Sequence, residues 1–277
     1  MTDFLTNSTY QVYDSSISAL KTQTYSHFAL GDALIRQVNT EDIPAIIHFW
    51  PIDQMIILGM MDTKLPYLDE GVSFLKNEGY QVCVRPAGGL AVVSDPGIIN
   101  FSLILQEPAN SKVSIDAGYE VMLRLIQKAL APYNKEIKAY EIEDSYCPGK
   151  FDLSIDGKKF AGIAQRRFKK GIAIMIYLSV EGNQQRRGEL IQTLYEKGMR
   201  GEETRWKYPA VNPDSMANLS DLLGVSLTVP QIKEMVLTAL KEEGNRLIEG
   251  NYTAELMTEY QSAYDKMEKR NIQTFGN

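Results

Sequence analysis

Two hydrophobic spacings alternate along this chain, and together they predict its elements. Apolar residues three or four positions apart predict helices, whereas short apolar or alternating runs predict strands. The predicted helices cover residues 28–35, 65–79, 114–131 and 184–195. The predicted strands cover residues 45–50, 55–58, 81–85, 91–93, 99–105, 151–155, 160–165 and 171–180.

The segments between strands indicate how neighbouring strands connect. Pro51-Ile-Asp53 separates the first two predicted strands, which are therefore expected to form a hairpin. Asp156-Gly157 is a strong signal for a second hairpin. Residues 99–105 alternate polar with apolar side chains, which predicts a strand with one polar face. The polar residues 1–22 are expected to form a loose arm.

The order of these elements predicts an α+β fold. Strand pairs with helices between them favour a mixed or antiparallel sheet flanked by helices over a doubly wound parallel sheet. After Trp206 only helical spacing is found, and Thr228 with Gln231 has the pattern of a capping box. We therefore expect a main domain over residues 1–209 and a helical C-terminal segment over residues 210–277.

Composition and charge narrow the possible functions. The 277 residues carry a net charge of −6, which disfavours a general nucleic-acid or membrane-surface binder. The longest apolar run, Ile172–Val180, is too short to span a bilayer, and the first twenty residues lack the apolar core of a signal peptide. Two cysteines make no disulfide framework and fit a reducing cytosol, so a cytoplasmic location is expected.

The two cysteines lie in different local sequences. Cys83 lies between valines in a predicted strand, where a free cysteine is usually a small buried hydrophobic residue. Cys147 precedes Pro148-Gly149, so the backbone turns there and the sulfur can be accessible. A thiolate is a good covalent nucleophile, and nearby positive charge favours it. Cys147 is therefore a candidate nucleophile, with an inert loop cysteine as the alternative.

Positive charge is concentrated just after Cys147. Residues 150–170, called the basic strip below, contain seven Lys and Arg against two Asp. Such a strip suggests an acidic partner or an anionic ligand, although a solvated hairpin has the same composition. Lys159, just before Phe-Ala-Gly162, is a candidate for supplying charge to an acyl oxygen or to the thiol. Its neighbour Lys158 should face the opposite side and be solvated.

Paired glycines join two predicted strands in Arg85-Pro-Ala-Gly-Gly-Leu-Ala-Val-Val-Ser-Asp95. Glycine lets a backbone approach a ligand closely, and Arg85 can bind a carboxylate or phosphate. A plain tight turn has the same spacing. The segment lacks the second element of a P-loop and the helix of a dinucleotide-binding turn. His27 and His48 are too far from the cysteines in sequence to favour zinc, so we expect no metal.

These segments together resemble the lipoate-protein ligase and octanoyltransferase family, which also includes biotin-protein ligases. Phe28-Ala-Leu-Gly-Asp-Ala-Leu34 is similar to the family's first helix. The segment from Arg85 to Ser102 resembles its lipoyl-binding segment, Arg-Arg-x-Ser/Thr-Gly-Gly-Gly-Ala-Val-x-His-Asp-x-Gly-x-x-Asn-x-Ser. Lys159-Phe-Ala-Gly-Ile-Ala164 matches the lysine strand, Lys-x-x-Gly-x-Ala. The resemblance extends from Phe28 to the C-terminus and implies the catalytic fold of class II biotin/lipoate-protein ligases.

The resemblance also implies roles for individual residues. Cys147 and Lys159 become the catalytic residues. The residues implied to bind the substrate are Arg85, Gly88, Gly89, Ala91, Asn100, Gly162 and Ala164. Pro86, Leu90 and Ser94 replace the family's second Arg, third Gly and His, which disfavours adenylation of a free acid.

One branch of the family matches most closely. Asp144-Ser-Tyr-Cys-Pro-Gly149, followed by Gly157-Lys-Lys-Phe-Ala-Gly-Ile-Ala-Gln-Arg-Arg167, resembles the octanoyl-[glycine cleavage H protein]:protein N-octanoyltransferases. In that branch an octanoyl group passes from a lysine of the H protein to a cysteine. It then passes to a lysine on a lipoyl domain of a 2-oxoacid dehydrogenase. The resemblance implies the H protein and lipoyl domains as partners and no cofactor.

Two other function classes remain open. An ATP-dependent lipoate- or octanoate-protein ligase would use ATP and magnesium, and the segment from Met216 resembles the accessory domain of some ligases. Strict ATP dependence with free lipoate would favour that class. A non-catalytic module would bind acylated carrier domains even without Cys147 and Lys159, and would show no turnover.

Overall fold

The computed structural model describes residues 5, 8–15, 20, 24–40, 43–108 and 112–276. The strands within these residues are β1 (Thr9–Asp14), β2 (Ala45–Phe49), β3 (Met55–Leu58), β4 (Gln81–Val84), β5 (Val92–Ser94), β6 (Ile98–Gln106), β7 (Lys138–Ala139), β8 (Leu153–Ile155), β9 (Lys158–Phe168), β10 (Gly171–Ser179) and β11 (Arg246–Glu249). The helices are α1 (Ser26–Gln37), α2 (Leu68–Asn77), α3 (Ile115–Ala129), α4 (Gln184–Met199), α5 (Leu219–Leu223), α6 (Val229–Glu242) and α7 (Ala254–Phe275).

The strands form two sheets. The larger has eight strands in the order β11-β1-β2-β6-β10-β9-β8-β7, and the smaller has the order β4-β3-β5. In the larger sheet β1 is parallel to both β2 and β11, and the other pairings are antiparallel. In the smaller sheet β3 is parallel to β4 and antiparallel to β5. The α+β class with a mixed sheet flanked by helices is therefore confirmed.

The large sheet is buried on both faces. Alternate residues of β6 point in opposite directions, so Leu103 packs in the cluster with α3 and α6, and Ile104 packs in the cluster with α1. Helix α7 lies against α1 and contributes Leu256 and Tyr260 to that second cluster. Helices α2 and α4 contact one another and bury apolar side chains against the small sheet.

Local sequence signals fix several element ends. The Ser114 hydroxyl accepts a hydrogen bond from the Ala117 N–H at the start of α3. The predicted capping box is present at α6, where Thr228 and Gln231 bond reciprocally. Asp156 and Gly157 have φ of 51° and 81°, the left-handed values that a two-residue hairpin between β8 and β9 requires.

Three sequence predictions are wrong. Strands β2 and β3 do not form a hairpin, because β2 pairs with β1 and β6 whereas β3 belongs to the small sheet. Residues 9–14 are a central strand rather than part of a loose arm, and the rest of that arm lies partly outside the described residues. The C-terminal segment is not purely helical, because β11 extends the large sheet.

The proposed division at residues 209 and 210 stays a prediction. Residues beyond it nevertheless share the main hydrophobic clusters, since Val211 and Met216 pack with α4 and Val236 packs with α3. None of the helices in the described parts of the chain is long and apolar enough to cross a lipid bilayer.

Candidate active site

One face of the large sheet and helix α1 enclose a cavity of about 350 Å³. Its volume lies in the range of small-molecule pockets, ~300–1,000 Å³. The residues of the large sheet that line it include Lys159, Gly162, Ala164 and Arg166 of β9, Ala173, Met175, Ile176 and Tyr177 of β10, Asn100, Ser102 and Ile104 of β6, and His48 of β2. The predicted polar face of β6 is thus buried, because α1 covers it.

Cys147 lines this cavity from the loop between β7 and β8. Its side chain is half-buried, and its φ of 47° lies in the left-handed region that non-glycine residues rarely adopt. The Leu90 N–H donates to the Cys147 Sγ at 3.3 Å, and Arg85 Nη2 lies 3.7 Å from the same sulfur. Both donors can stabilise negative charge on sulfur, so the geometry suits a nucleophilic thiolate.

Arg85 follows the end of β4 and folds over the glycine turn. Its guanidinium donates to the carbonyl oxygens of Gly88 and Leu90, at 3.1 and 3.0 Å from Nη2. Gly89 has a φ of 86°, and a Cβ there would lie 2.8 Å from Arg85 Nη2 and 3.2 Å from the Cys147 Sγ. Glycine is therefore required at position 89 for the backbone to pass so close to the thiol.

Lys159 lies at the start of β9 and fixes the Cys147 loop. Its Nζ donates to the backbone oxygens of Tyr146 and Cys147, each at 2.9 Å, and to the Ser145 hydroxyl at 3.0 Å. It also pairs with Asp152 Oδ1 at 2.9 Å, and both side chains are 2 % exposed. These contacts of Nζ are all with the loop, whereas Arg85 is the cation that touches the thiol.

Two opposing effects act on the pKa of the Asp152 carboxyl. Burial raises the pKa of Asp152, and the charge and hydrogen bond of Lys159 act in the opposite direction. The second oxygen of Asp152 accepts the N–H groups of Ile142 and Gly149, at 3.2 and 3.1 Å. Asp152 therefore links two ends of the Cys147 loop to Lys159.

The structure gathers most of the predicted site residues around the cavity. Lining positions include Cys147, Lys159, Arg85, Gly88, Gly89, Asn100, Gly162 and Ala164. Ala91 lies behind the wall instead: it is fully buried, and its N–H donates to the Tyr195 hydroxyl at 3.2 Å. Ser94, where the family pattern has His, is also buried and accepts from Asn100 Nδ2 at 2.9 Å.

Sequence reasoning missed the buried acid behind Arg85. Asp62 accepts the Gly59 N–H at 2.7 Å and the Tyr195 hydroxyl at 3.0 Å, and burial raises its pKa to about 6. Tyr195 in turn receives the Ala91 N–H, so this group supports the segment that contacts the thiol. A single Asp three residues after a glycine carries no distinctive sequence signal, and the Leu90 donor is a backbone group that no motif reveals.

The basic strip is partly neutralised by neighbouring acids. Arg166 pairs with Asp32 of α1, and Lys150 lies 2.5 Å from Asp116 of α3. Lys158 is exposed, as predicted from its alternation with buried Lys159. The strip therefore combines structural ion pairs with solvent-exposed cations beside the Cys147 loop.

Cys83 differs sharply from Cys147. It is fully buried, and burial raises its pKa to about 12, which disfavours a thiolate. This confirms the prediction that Cys83 is a buried hydrophobic residue. Among the residues that the structure describes, no group of three His, Cys, Asp or Glu side chains is placed to hold a metal ion.

The cavity is lined by a cysteine, a glycine turn and a strand lysine. Comparison of the sequence with known families is consistent with this arrangement. The sequence model of the family described as "Lipoyl protein ligase A/B catalytic domain" matches residues 23–241. The chain belongs to this family. The matched residues include every predicted site residue and extend into the C-terminal segment.

Relatives within the family carry transferase names. An octanoyl-[GcvH]:protein N-octanoyltransferase from Oceanobacillus iheyensis is 44 % identical over 88 % of this chain and 87 % of its own length. One from Bacillus velezensis is 39 % identical over 99 % of this chain and 96 % of its own. A lipoyl-[GcvH]:protein N-lipoyltransferase from Listeria monocytogenes is 41 % identical over 88 % of this chain and 87 % of its own.

Solved structures of lipoate-protein ligases share the fold. A lipoate-protein ligase A bound with ATP superposes with a TM-score of 0.74 at 17 % identity, covering 98 % of this chain and 99 % of its own. A bipartite lipoate protein ligase from Thermoplasma acidophilum gives 0.72 at 16 % identity, covering 98 % and 97 %. At such low identity these similarities concern the fold alone.

Proposed function

We propose that this protein is an acyltransferase of protein lipoylation. It transfers an octanoyl or lipoyl group from the glycine cleavage H protein to a lysine on lipoyl domains of 2-oxoacid dehydrogenases. The observation that carries the proposal is Cys147, a half-buried thiol at a largely apolar cavity with two donors on its sulfur. The transferase names of relatives at 39–44 % identity support it.

The reaction proceeds in two steps, with a thioester on Cys147 as the intermediate. The Cys147 thiolate attacks the amide carbonyl of the acylated H-protein lysine, a C–S bond forms, and the C–N bond breaks. The departing amine takes up a proton and leaves the acyl group on sulfur as a thioester. The neutral amine of the acceptor lysine then attacks the thioester, a new C–N bond forms, the C–S bond breaks to release the thiolate, and the amine loses a proton to solvent.

Arg85 and Lys159 have separate roles in this scheme. Arg85, with the Leu90 N–H, stabilises the thiolate before attack and after release. Lys159 fixes the loop carbonyls of Tyr146 and Cys147, so the sulfur is held in one orientation. The acyl chain extends over Gly162 and Ala164, where the absence of large side chains leaves room.

No nucleotide is required for this exchange, because one lysine amide is converted into another. The replacement of family residues by Pro86, Leu90 and Ser94 supports the same conclusion, since an adenylating enzyme must also bind a nucleotide phosphate. Exposed cations of the basic strip supply a surface for acidic carrier proteins, which mainly raises the association rate and specificity. A cytoplasmic location follows from the need for a reduced thiol.

The deciding experiment is intact-mass analysis after incubation with octanoylated H protein and no nucleotide. We expect an octanoyl adduct on the wild-type protein and no adduct on Cys147→Ser. Cys83→Ala is the matched control and should retain the adduct. Transfer that survives in Cys147→Ser, or that occurs only with free lipoate and ATP, would refute the proposal and favour a ligase.

A further inference from the structure

The cavity contains a group of polar side chains that the transfer steps do not use. His48 of β2 and Ser102 of β6 are directly paired neighbours in the sheet, and both line the cavity. The Trp50 Nε1–H donates to the Ser102 hydroxyl at 2.8 Å. His48 Nε2 lies 2.8 Å from the Ser15 hydroxyl. These four buried residues are called the polar end of the cavity below.

Two members of the polar end can take a further partner. His48 Nδ1 is buried and has no hydrogen-bond partner among the described residues. The Ser102 hydroxyl accepts from Trp50 and retains its own proton as a donor. Burial lowers the pKa of His48 to about 3, so the ring is neutral at pH 7. A wholly apolar ligand would leave these groups unpaired, which is unfavourable for buried polar atoms.

The polar end lies opposite Cys147 across the sheet. Lys159, which bonds to the Cys147 backbone, belongs to β9, and β9, β10, β6 and β2 are successive neighbours. In the register of the sheet His48 pairs with Ser102, Ser102 with Met175, and Met175 with Ala164, so Ser102 and His48 lie two and three strand spacings of ~4.8 Å from Ala164. An acyl chain that starts on Cys147 and passes Gly162 and Ala164 is therefore directed towards Ser102 and His48, which line the same cavity.

We propose that Ser102 and His48 recognise the sulfur atoms of a lipoyl group and make the site selective for lipoyl over octanoyl cargo. The inference rests on the proposed transfer function. The two acyl groups share an eight-carbon chain, and the lipoyl group adds two sulfurs on its sixth and eighth carbons. Sulfur is a weak hydrogen-bond acceptor, so it can receive the Ser102 hydroxyl proton, and the Nδ1 proton of His48 in the tautomer whose Nε2 accepts the Ser15 hydroxyl.

A competition experiment tests this selectivity. The protein is mixed briefly with equal amounts of octanoylated and lipoylated H protein, and the two adducts are quantified by intact mass. Their ratio reports relative kcat/KM and does not depend on the folded fraction. We expect the lipoyl adduct to exceed the octanoyl adduct in the wild type. Ser102→Ala and His48→Phe should each lower that ratio, by about fivefold for the loss of one weak hydrogen bond.

Leu103→Val is the matched control. Leu103 neighbours Ser102 on β6, but its side chain packs on the opposite face of the sheet with α3 and α6. The Leu103→Val substitution should therefore reduce the stability of the protein and leave the ratio of lipoyl to octanoyl adduct unchanged. Equal or octanoyl-favoured labelling of the wild type would overturn the inference, as would a wild-type ratio in both cavity variants. Those results would not contradict the proposed transfer reaction. The absence of both adducts in the wild type, by contrast, would refute both proposals.

Discussion

Two cations act at Cys147, and they act at different distances from its sulfur. Arg85 touches the sulfur and also holds the carbonyls of Gly88 and Leu90. Lys159 bonds to the Cys147 backbone oxygen and to the residues just before it. Arg85 therefore influences the charge on the Cys147 sulfur, and Lys159 influences its position.

Arg85→Gln tests the first of these roles. Removing the guanidinium should slow alkylation of Cys147 at neutral pH by about tenfold, because a hydrogen bond to a charged group contributes ~1.5–3 kcal/mol. Thioester formation from octanoylated H protein should slow in parallel. Lys158→Gln is the control for alkylation, since it removes an exposed charge nearby. An unchanged alkylation rate in Arg85→Gln would contradict the role.

At the scale of elements, local periodicity predicted strands β2 to β6 and β8 to β10 but not their partners, and it missed β1, β7 and β11. The alternation in residues 99–105 correctly placed Asn100 and Ser102 on one face. It could not show that α1 covers that face and makes it the cavity wall. Similarly, β2 and β3 are adjacent in sequence yet lie in different sheets. Pairing of β2 with β1 and β6 depends on non-local contacts, which short patterns do not encode.

The candidate site, too, was only partly predictable from the sequence. The thiol, the lysine and the paired glycines were recognisable from sequence, because each has a local motif. The ion pair of Lys159 with Asp152 was not, since its atoms meet only when the loop folds over β9. Ala91 was assigned to the pocket from its place in a motif, but its position behind the wall depends on the packing of Tyr195.

Lys159→Met should separate loop stability from chemistry. It leaves the buried Asp152 without its cation, which costs about 3–5 kcal/mol of unfolding free energy. In Lys159→Met/Asp152→Asn the amide oxygen can still accept the N–H groups of Ile142 and Gly149. We expect urea unfolding to show roughly half of the lost stability restored in the double variant. Acyl transfer should stay low in both variants. A wild-type rate of transfer in the double variant would disprove the role of Lys159 in orienting Cys147.

At the scale of the whole molecule, Asn271 connects the C-terminal helix to the strand that leads into the active site. Asn271 of α7 accepts the Val84 N–H at 2.7 Å, and its Nδ2 lies 3.3 Å from the Val84 oxygen. Val84 is the last residue of β4, the edge strand of the small sheet, and Arg85 follows it. The helix thus covers a strand edge and steadies the residue that contacts the thiol.

Asn271→Ala should affect stability and transfer together. Loss of the amide leaves buried backbone groups of Val84 unpaired, at a cost of about 1–3 kcal/mol. Thermal unfolding should occur at lower temperature, and thioester formation should slow because Arg85 loses its support. Gln261→Ala changes an exposed residue of the same helix and should alter neither property. Unchanged thioester formation in Asn271→Ala would refute the connection.

Two buried groups give opposite dependences of stability on pH. Burial raises the pKa of Asp62 from 3.8 to about 6 and lowers that of His48 from 6.5 to about 3. Between about pH 4 and pH 6 the native state therefore binds one proton more than the unfolded chain at Asp62 and one fewer at His48. As pH falls through this window, Asp62 adds stability and His48 removes it.

Single substitutions should expose each contribution. Relative to the wild type, Asp62→Asn should lose about 1.4 kcal/mol of stability for each unit that pH falls, because only the His48 effect remains. His48→Gln should gain a similar amount. Urea unfolding at the two ends of the window measures both slopes. Identical pH profiles for all three proteins would rule out this account.

The position of β11 beside β1 has a consequence for synthesis on the ribosome. Strand β1 is made first, but one of its two neighbours in the sheet, Arg246–Glu249, is among the last segments to emerge. Until then β1 presents an open edge, which is a template for pairing with other nascent chains. A chain that stops before Arg246 keeps that edge permanently, so premature termination should yield aggregates rather than a smaller working enzyme.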